Sequence, residues 1–223
     1  GLDVVSGGEL YCAQQAGVDM KSVYFHGNNK SEEELRMALE AGCGTIVLDN
    51  RMESQRLVNL AAELKRPIDV LLRVNPGIEA HTHEYIRTSG SDSKFGISIK
   101  KAEEIAELIQ PVLNSEYVTF KGFHSHIGSQ ITETEGFEKA LEIMIDFIRE
   151  MKEQYRITAG CLSIGGGFGI KYTAVDKPIP LGEMAEILAR TCETLIAEKG
   201  VALKKLLIEP GRSIVGEAGY ALY

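Results

Sequence analysis

The four cysteines of this chain, Cys12, Cys43, Cys161 and Cys192, lie far apart, and no Cys-x-x-Cys occurs. That spacing offers no disulfide framework and reads as reduced thiols on helices or in a core. Positive charge is also short: 24 Lys and Arg stand against 32 Asp and Glu, a net charge of −8. An acidic balance of this size argues against nucleic acid or an anionic membrane surface as partner. No apolar run is long enough to span a bilayer, and no signal peptide is recognisable. Low-complexity segments and internal linkers are missing as well. The expected compartment is therefore cytoplasmic.

What remains is an ordinary globular composition, 44% hydrophobic and 25% charged over 223 residues. That length suits one α/β barrel or two small domains. Short apolar runs that read as strands recur at Gly1–Val5, Val23–Gly27, Thr45–Asp49, Asp69–Asn75, Val118–Ile127, Cys161–Ile164 and Leu206–Glu209. Amphipathic helices stand between them. Ser6-Gly7-Gly8-Glu9 and Ser31-Glu32-Glu33-Glu34 both read as capping boxes that open helices. The segment from Glu133 to about Gln154 places Phe137, Leu141, Met144, Ile145, Ile148 and Met151 on one stripe. A long polar connection from Pro76 to Ser98 exceeds the usual loop length and reads as functional or mobile. Such alternation predicts a parallel sheet with right-handed crossovers, hence a barrel or a doubly wound sheet. The expectation is a (β/α)8 TIM barrel over residues 1–223, incomplete because seven strands are one short of closure. The abrupt start, a strand with no initiating Met, suggests that the first strand is the missing one.

Polar residues gather at the predicted strand ends: Asp3, His26, Asp49, Arg73, Asn75, His124, His126, Glu209 and Arg212. In parallel α/β folds that face binds ligands. The run Gly165-Gly166-Gly167 closes one strand, so bare backbone N–H groups can approach a phosphate with no Cβ in the way. Arg212 follows the next strand and offers a planar fork to the same anion or to a carboxylate. His124 and His126, two apart on one predicted strand, share a face and suggest a metal pair. A metal reading needs further ligands at other strand ends, and Arg212 would repel a cation there, so no metal is expected. His81 and His83 lie in the long connection and read as a solvated pair.

Taken in order, several blocks resemble the diaminopimelate decarboxylase family. They are residues 1–10 (GLDVVSGGEL), 26–30 (HGNNK), 73–76 (RVNP), 92–96 (DSKFG) and 122–131 (GFHSHIGSQI), then Gly165–Gly167 and Glu209-Pro210-Gly211-Arg212. The resemblance implies a pyridoxal 5'-phosphate enzyme of the alanine-racemase-like barrel type that releases CO2 from meso-diaminopimelate to give L-lysine. It implies a phosphate cup made of Ser129, Gly165, Gly166, Gly167, Gly211 and Arg212, with Pro210 in the same block. Arg212 also takes the place of a substrate contact, and His126 that of the histidine stacked on the pyridine ring. His124 is then left behind His126, without direct contact to the ring. Glu209 takes the place of the carboxylate paired with the pyridine nitrogen, which favours decarboxylation over racemisation. Asp3 and Arg73 match positions near the cofactor. A homodimer is implied too.

The same resemblance implies two absences. The family's Schiff-base lysine would precede Gly1, and its C-terminal β-domain, with the cysteine proton donor, would follow Tyr223. The expectation is therefore a barrel fragment with no catalytic residue of its own, inactive by itself and prone to associate through exposed strand edges. A related decarboxylase of ornithine, arginine or carboxynorspermidine is the nearest alternative. A non-catalytic pyridoxal phosphate-binding regulator is the alternative of another class.

Overall fold

The structure is a computed structural model that describes residues 1–78 and 95–219. The His81/His83 pair, most of the 92–96 block and the tail at Tyr223 lie outside those residues. The chain divides into two compact units, Gly1–Val74 with Ser93–His124, and Asn75–Asp92 with Ser125–Tyr223.

In the first unit, strands β1 (Leu2–Val4), β2 (Val23–Phe25), β3 (Thr45–Leu48), β4 (Ile68–Asn75) and β6 (Val118–His124) pair in that order. The pairs are parallel. A two-residue strand β5 (Ile97–Ser98) pairs with β4. Helices α1 (Gly7–Gln15), α2 (Glu32–Ala41), α3 (Arg51–Leu64) and α4 (Ala102–Leu113) separate the strands and pack in sequence. This is the β/α repeat that parallel pairing requires. Burial follows the pattern of the sequence: Leu35, Ala38 and Leu39 of α2, and Ala102, Ile105, Ala106 and Ile109 of α4, are all buried. So are all four residues of β3, as expected for a strand covered on both faces.

The second unit contains β7 (Cys161–Ser163), β8 (Lys205–Leu207), α5 (Glu135–Tyr155), α6 (Leu181–Lys199) and a four-residue α7 (Arg212–Val215). The pairing of β7 with β8 is parallel, and α5 packs on α6. The α5 stripe is buried at every position named from the sequence. Phe137 stacks on Phe168 with ring centroids 4.7 Å apart, fixing α5 against the loop that follows the glycine run. The architecture is that of the (β/α)8 barrel, represented in part.

Several local expectations change. Ser6 does accept from the Glu9 N–H (3.2 Å), but Glu9 reaches back to the Val5 N–H (2.7 Å), one residue before the cap. At α2 the capping box is complete, and Glu34 also accepts from the Gly7 N–H (2.8 Å), joining the starts of α1 and α2. Among the described residues, β5 is a strand beyond the seven expected, because two residues are too few to show alternation. The predicted strand over Val118–Ile127 ends at His124, so the shared strand face for His124 and His126 does not exist. Asp3 lies within β1 and Arg73 within β4, neither beyond its strand's end. A bulge in β6 skips Lys121 and brings His124 opposite Arg73. Burial pushes the Cys43 thiol up to about 11 and also raises Cys161 and Cys192, while Cys12 is exposed on α1.

Candidate functional site: a glycine cup and a strand-end rim

Three loops of the second unit meet around the glycine run: 125–131, 164–170 and 208–212. The Ser125 N–H donates to the Ser163 carbonyl (2.9 Å), and the Ile164 N–H to the Leu207 carbonyl (3.1 Å). The Glu209 N–H donates to the Gly165 carbonyl (2.9 Å) and the Ile131 N–H to the Gly167 carbonyl (2.9 Å). Backbone therefore lies directly on backbone, and glycine makes this possible. A Cβ on Gly165 would stand 2.6 Å from the Ser125 carbonyl oxygen; on Gly166 it would overlap the Glu209 carbonyl, and on Gly167 that of Gly128. Gly165 and Gly167 also take positive φ values of 74° and 97°.

The glycines thus serve loop packing first. Two of the N–H groups expected to be bare are engaged: Gly165 donates to Ser163 Oγ (3.2 Å) and Gly166 to His126 Nδ1 (3.3 Å). Acceptance at Nδ1 places the proton of a neutral His126 on Nε2. The fully buried Ser163 hydroxyl in turn donates to Glu209 Oε1 (2.6 Å), aiming that carboxylate from below. Arg212 is held from two sides: Nη2 donates to Ser129 Oγ (2.8 Å) and Nη1 to the Tyr172 hydroxyl (2.6 Å). Gln130, at a positive φ of 58°, exchanges two hydrogen bonds with the backbone of Ile170, which holds that strained residue in place. A carboxylate, an imidazole, a hydroxyl and a guanidinium on a rigid backbone suit a ligand with an anionic group and a ring nitrogen. Pro210 and Gly211 form the turn that joins Glu209 to Arg212, closed by the Gly211 N–H on the Glu209 carbonyl (3.0 Å).

The first unit carries its own rim of polar residues. Asp3 Oδ1 lies 3.6 Å from His26 Nε2, and the His26 ring meets His124 edge-on at 5.0 Å. Arg73 Nε stands 4.0 Å from Asp49 Oδ1, with its guanidinium 4.9 Å from the centre of the Phe95 ring. Burial raises the Asp49 carboxyl above its ordinary range, against the pull of Arg73 and of the Gly96 N–H (3.1 Å). Beneath this rim sits a pair that sequence reading missed. Lys30 Nζ contacts Glu53 Oε1 at 2.6 Å, with side-chain exposures of 1% and 4%. The same ammonium donates to the carbonyls of Gly27 (2.5 Å) and Val47 (2.8 Å), and Glu53 Oε2 accepts from the Asp49 N–H (3.1 Å). Burial raises Glu53 as well, with Lys30 opposing it. Ser163 and Tyr172 were also missed, since neither belongs to a recognisable spacing.

A family model described as pyridoxal-dependent decarboxylase, pyridoxal binding domain, matches residues 1–216. Diaminopimelate decarboxylase of Bacillus subtilis is 47% identical over 222 residues, covering the whole of this chain and 50% of the relative. That of Halalkalibacterium halodurans is 45% identical with the same coverage. The chain spans about half the length of the curated relatives it matches. Among solved structures, diaminopimelate decarboxylase from M. jannaschii superposes with a TM-score of 0.85 at 34% identity, over 96% of this chain and 48% of that one. The Helicobacter pylori enzyme, solved with L-lysine, gives 0.79 at 29%, over 96% and 51%. With nearly its full length matched, the chain belongs to the pyridoxal-dependent decarboxylases and corresponds to their pyridoxal binding domain.

Proposed function

We propose that the chain is the cofactor-binding barrel domain, residues 1–223, of a diaminopimelate decarboxylase that forms L-lysine. The identity to relatives of that name supports the substrate, and the Ser163–Glu209 contact of 2.6 Å carries the chemistry. The residues present fit pyridoxal 5'-phosphate: Ser129 and Arg212 join beside the glycine cup, and Glu209 is a carboxylate fixed at one oxygen. When bound, that cofactor supplies an electron-accepting ring that takes up the electrons left when an α-carboxylate departs as CO2. Ser129 and Arg212 hold its phosphate against the cup that Gly165, Gly166 and Gly167 shape by close backbone packing, and Pro210 and Gly211 set the turn. Glu209 holds a proton on the ring nitrogen, because its anionic oxygen stabilises the N–H form. Ser163 keeps that carboxylate aimed, and His126, oriented by the Gly166 N–H, presents its ring face. The family resemblance is what gives Asp3 and Arg73 as further cofactor-binding residues. Arg212 also receives a carboxylate of the amino-acid substrate.

The same reading takes the working protein as a cytoplasmic homodimer, which size-exclusion chromatography with light scattering tests. Among the described residues no helix is long and apolar enough to cross a membrane. The deciding assay is CO2 release by the full protein carrying this chain, loaded with pyridoxal phosphate. It is offered meso-diaminopimelate, ornithine, arginine or carboxynorspermidine. Preference for diaminopimelate, with L-lysine as product, is expected. Preference for another substrate moves the chain to a sister activity, and cofactor binding without turnover moves it to a regulator.

A further inference from the structure

The Tyr172 hydroxyl accepts from Arg212 Nη1 at 2.6 Å, while the other arm of the same fork, Nη2, goes to Ser129. Both arms end on exposed residues but reach different loops. Ser129 belongs to the loop packed on the glycine run, whereas Tyr172, 62% exposed, lies on the segment that follows that run. The position of Tyr172 is nonetheless built. Before it, Ile170 is fixed through both backbone polar groups by the Gln130 side chain. After it, one carboxylate oxygen of Asp176 accepts from the Tyr172 N–H (3.0 Å), the Thr173 N–H (2.6 Å) and the Thr173 hydroxyl (3.0 Å). The Asp176 N–H closes the turn on the Thr173 carbonyl (3.2 Å). An exposed tyrosine on a loop held this firmly, with its hydroxyl on a cation, is more than a solvated side chain.

A phenol that accepts from a guanidinium is polarised, and its own proton becomes a better donor. That proton points away from the cation, so Arg212 and Tyr172 together offer an anion two kinds of donor. We propose that Tyr172 is a substrate-binding residue that works with Arg212 to receive a carboxylate of the amino-acid substrate, and that Asp176 is the positioning residue that presents it. The cofactor phosphate is the business of the Ser129 arm and the glycine cup; the Tyr172 arm reaches a separate loop and leaves its hydroxyl for the substrate. This inference rests on the decarboxylase reading of the site.

The test uses the full protein carrying this chain, loaded with pyridoxal phosphate, and begins with the substrate panel above on the unaltered enzyme. Whichever amino acid is turned over then serves for the variants, so a wrong substrate assignment leaves the Tyr172 test intact. Tyr172→Phe removes only the hydroxyl. It is expected to raise KM about tenfold, with kcat and the cofactor Kd each within about twofold. Asp176→Ala, which touches no ligand, raises KM in the same direction by about threefold. In an Arg212→Lys background the Tyr172→Phe effect disappears, because the two donors act as one unit. Independently of turnover, phenylglyoxal labelling of Arg212, read by peptide mass spectrometry, should quicken about threefold in Tyr172→Phe at an unchanged melting midpoint. An unchanged KM together with unchanged labelling overturns the proposal. A raised cofactor Kd in Tyr172→Phe overturns it too, by assigning the phenol to the phosphate.

Discussion

The two units position polar groups by opposite means. In the first, the rim residues hang on side-chain electrostatics: one buried ammonium, Lys30, ties the ends of β2 and β3 to Glu53 of α3. In the second, the cup is set by backbone resting on backbone, at contacts that only glycine permits. A buried charge does not survive the loss of its partner without a large penalty. Close backbone approach tolerates no added atom, yet is indifferent to charge.

The sharpest break of this contrast is Gly167→Ala. A left-handed backbone costs about 1–3 kcal/mol for a residue with a Cβ. Overlap with the Gly128 carbonyl adds about 1–3 kcal/mol, since backbone cannot swing aside as a side chain can. A loss near 4 kcal/mol, about the sum of the two, is expected in denaturant unfolding. Gly211→Ala is the control: its φ is −82° and a Cβ there meets nothing within 4 Å, so the change should stay below about 0.5 kcal/mol. Equal losses at both sites would remove packing as the explanation of the glycine cup.

In the first unit the corresponding break is Lys30→Met. It strands Glu53 as an uncompensated buried carboxylate and should cost about 3 kcal/mol. Adding Glu53→Leu should return most of that loss, because an apolar pair of similar volume needs no solvation. A double variant as unstable as the single one would mean that the Lys30 bonds to the Gly27 and Val47 carbonyls, and not the ion pair, carry the stability.

How far these features could be read from residues alone follows from the range of the interactions. The β/α repeat was legible because each strand and helix advertises itself within a few residues, as the α5 stripe does. The glycine run and Glu209–Arg212 were legible as conspicuous clusters at strand ends. The reason for the glycines was not, since the contacts involve carbonyls at 125, 128 and 209 that no local pattern announces. Lys30 reads as a loop lysine and Glu53 as an ordinary first-turn acid of α3; only the fold reveals that they are buried together. Ser163 is a serine at a strand end, and its partner lies 46 residues further on. Asp3 and Arg73 were misplaced at strand ends because apolar runs mark where a strand is more reliably than where it stops.

A milder test asks whether the Ser163 hydroxyl serves the cup or merely fills space. Ser163→Ala leaves the Gly165 N–H and one Glu209 oxygen without this partner. A hydrogen bond to a charged group is worth about 1.5–3 kcal/mol, so cofactor Kd in the full protein should rise at least about tenfold. Stability should fall less than for Lys30→Met. Unchanged cofactor binding would detach Glu209 from the proposed chemistry.

The smallest effect is a pH dependence within the first unit. Hydrogen bonds from the backbone N–H groups of Ser31 and Gly7 hold the Glu34 carboxyl below its ordinary value of 4.5. A carboxyl with a depressed folded pKa stabilises above its unfolded pKa, and that contribution fades as pH falls through the folded value. Asp49 and Glu53 have the opposite sign. Their folded carboxyls are raised by burial, so ionisation costs stability as pH climbs from the unfolded pKa through the folded one. The first unit therefore contains two opposed slopes in the acid range. Glu34→Gln should remove the stabilising one, costing about 1 kcal/mol at pH 7 and progressively less below about 4.5. Urea midpoints of the two proteins should converge as pH drops. A constant gap between them from pH 7 to pH 3 would show that the amide caps α2 less well for reasons unrelated to charge.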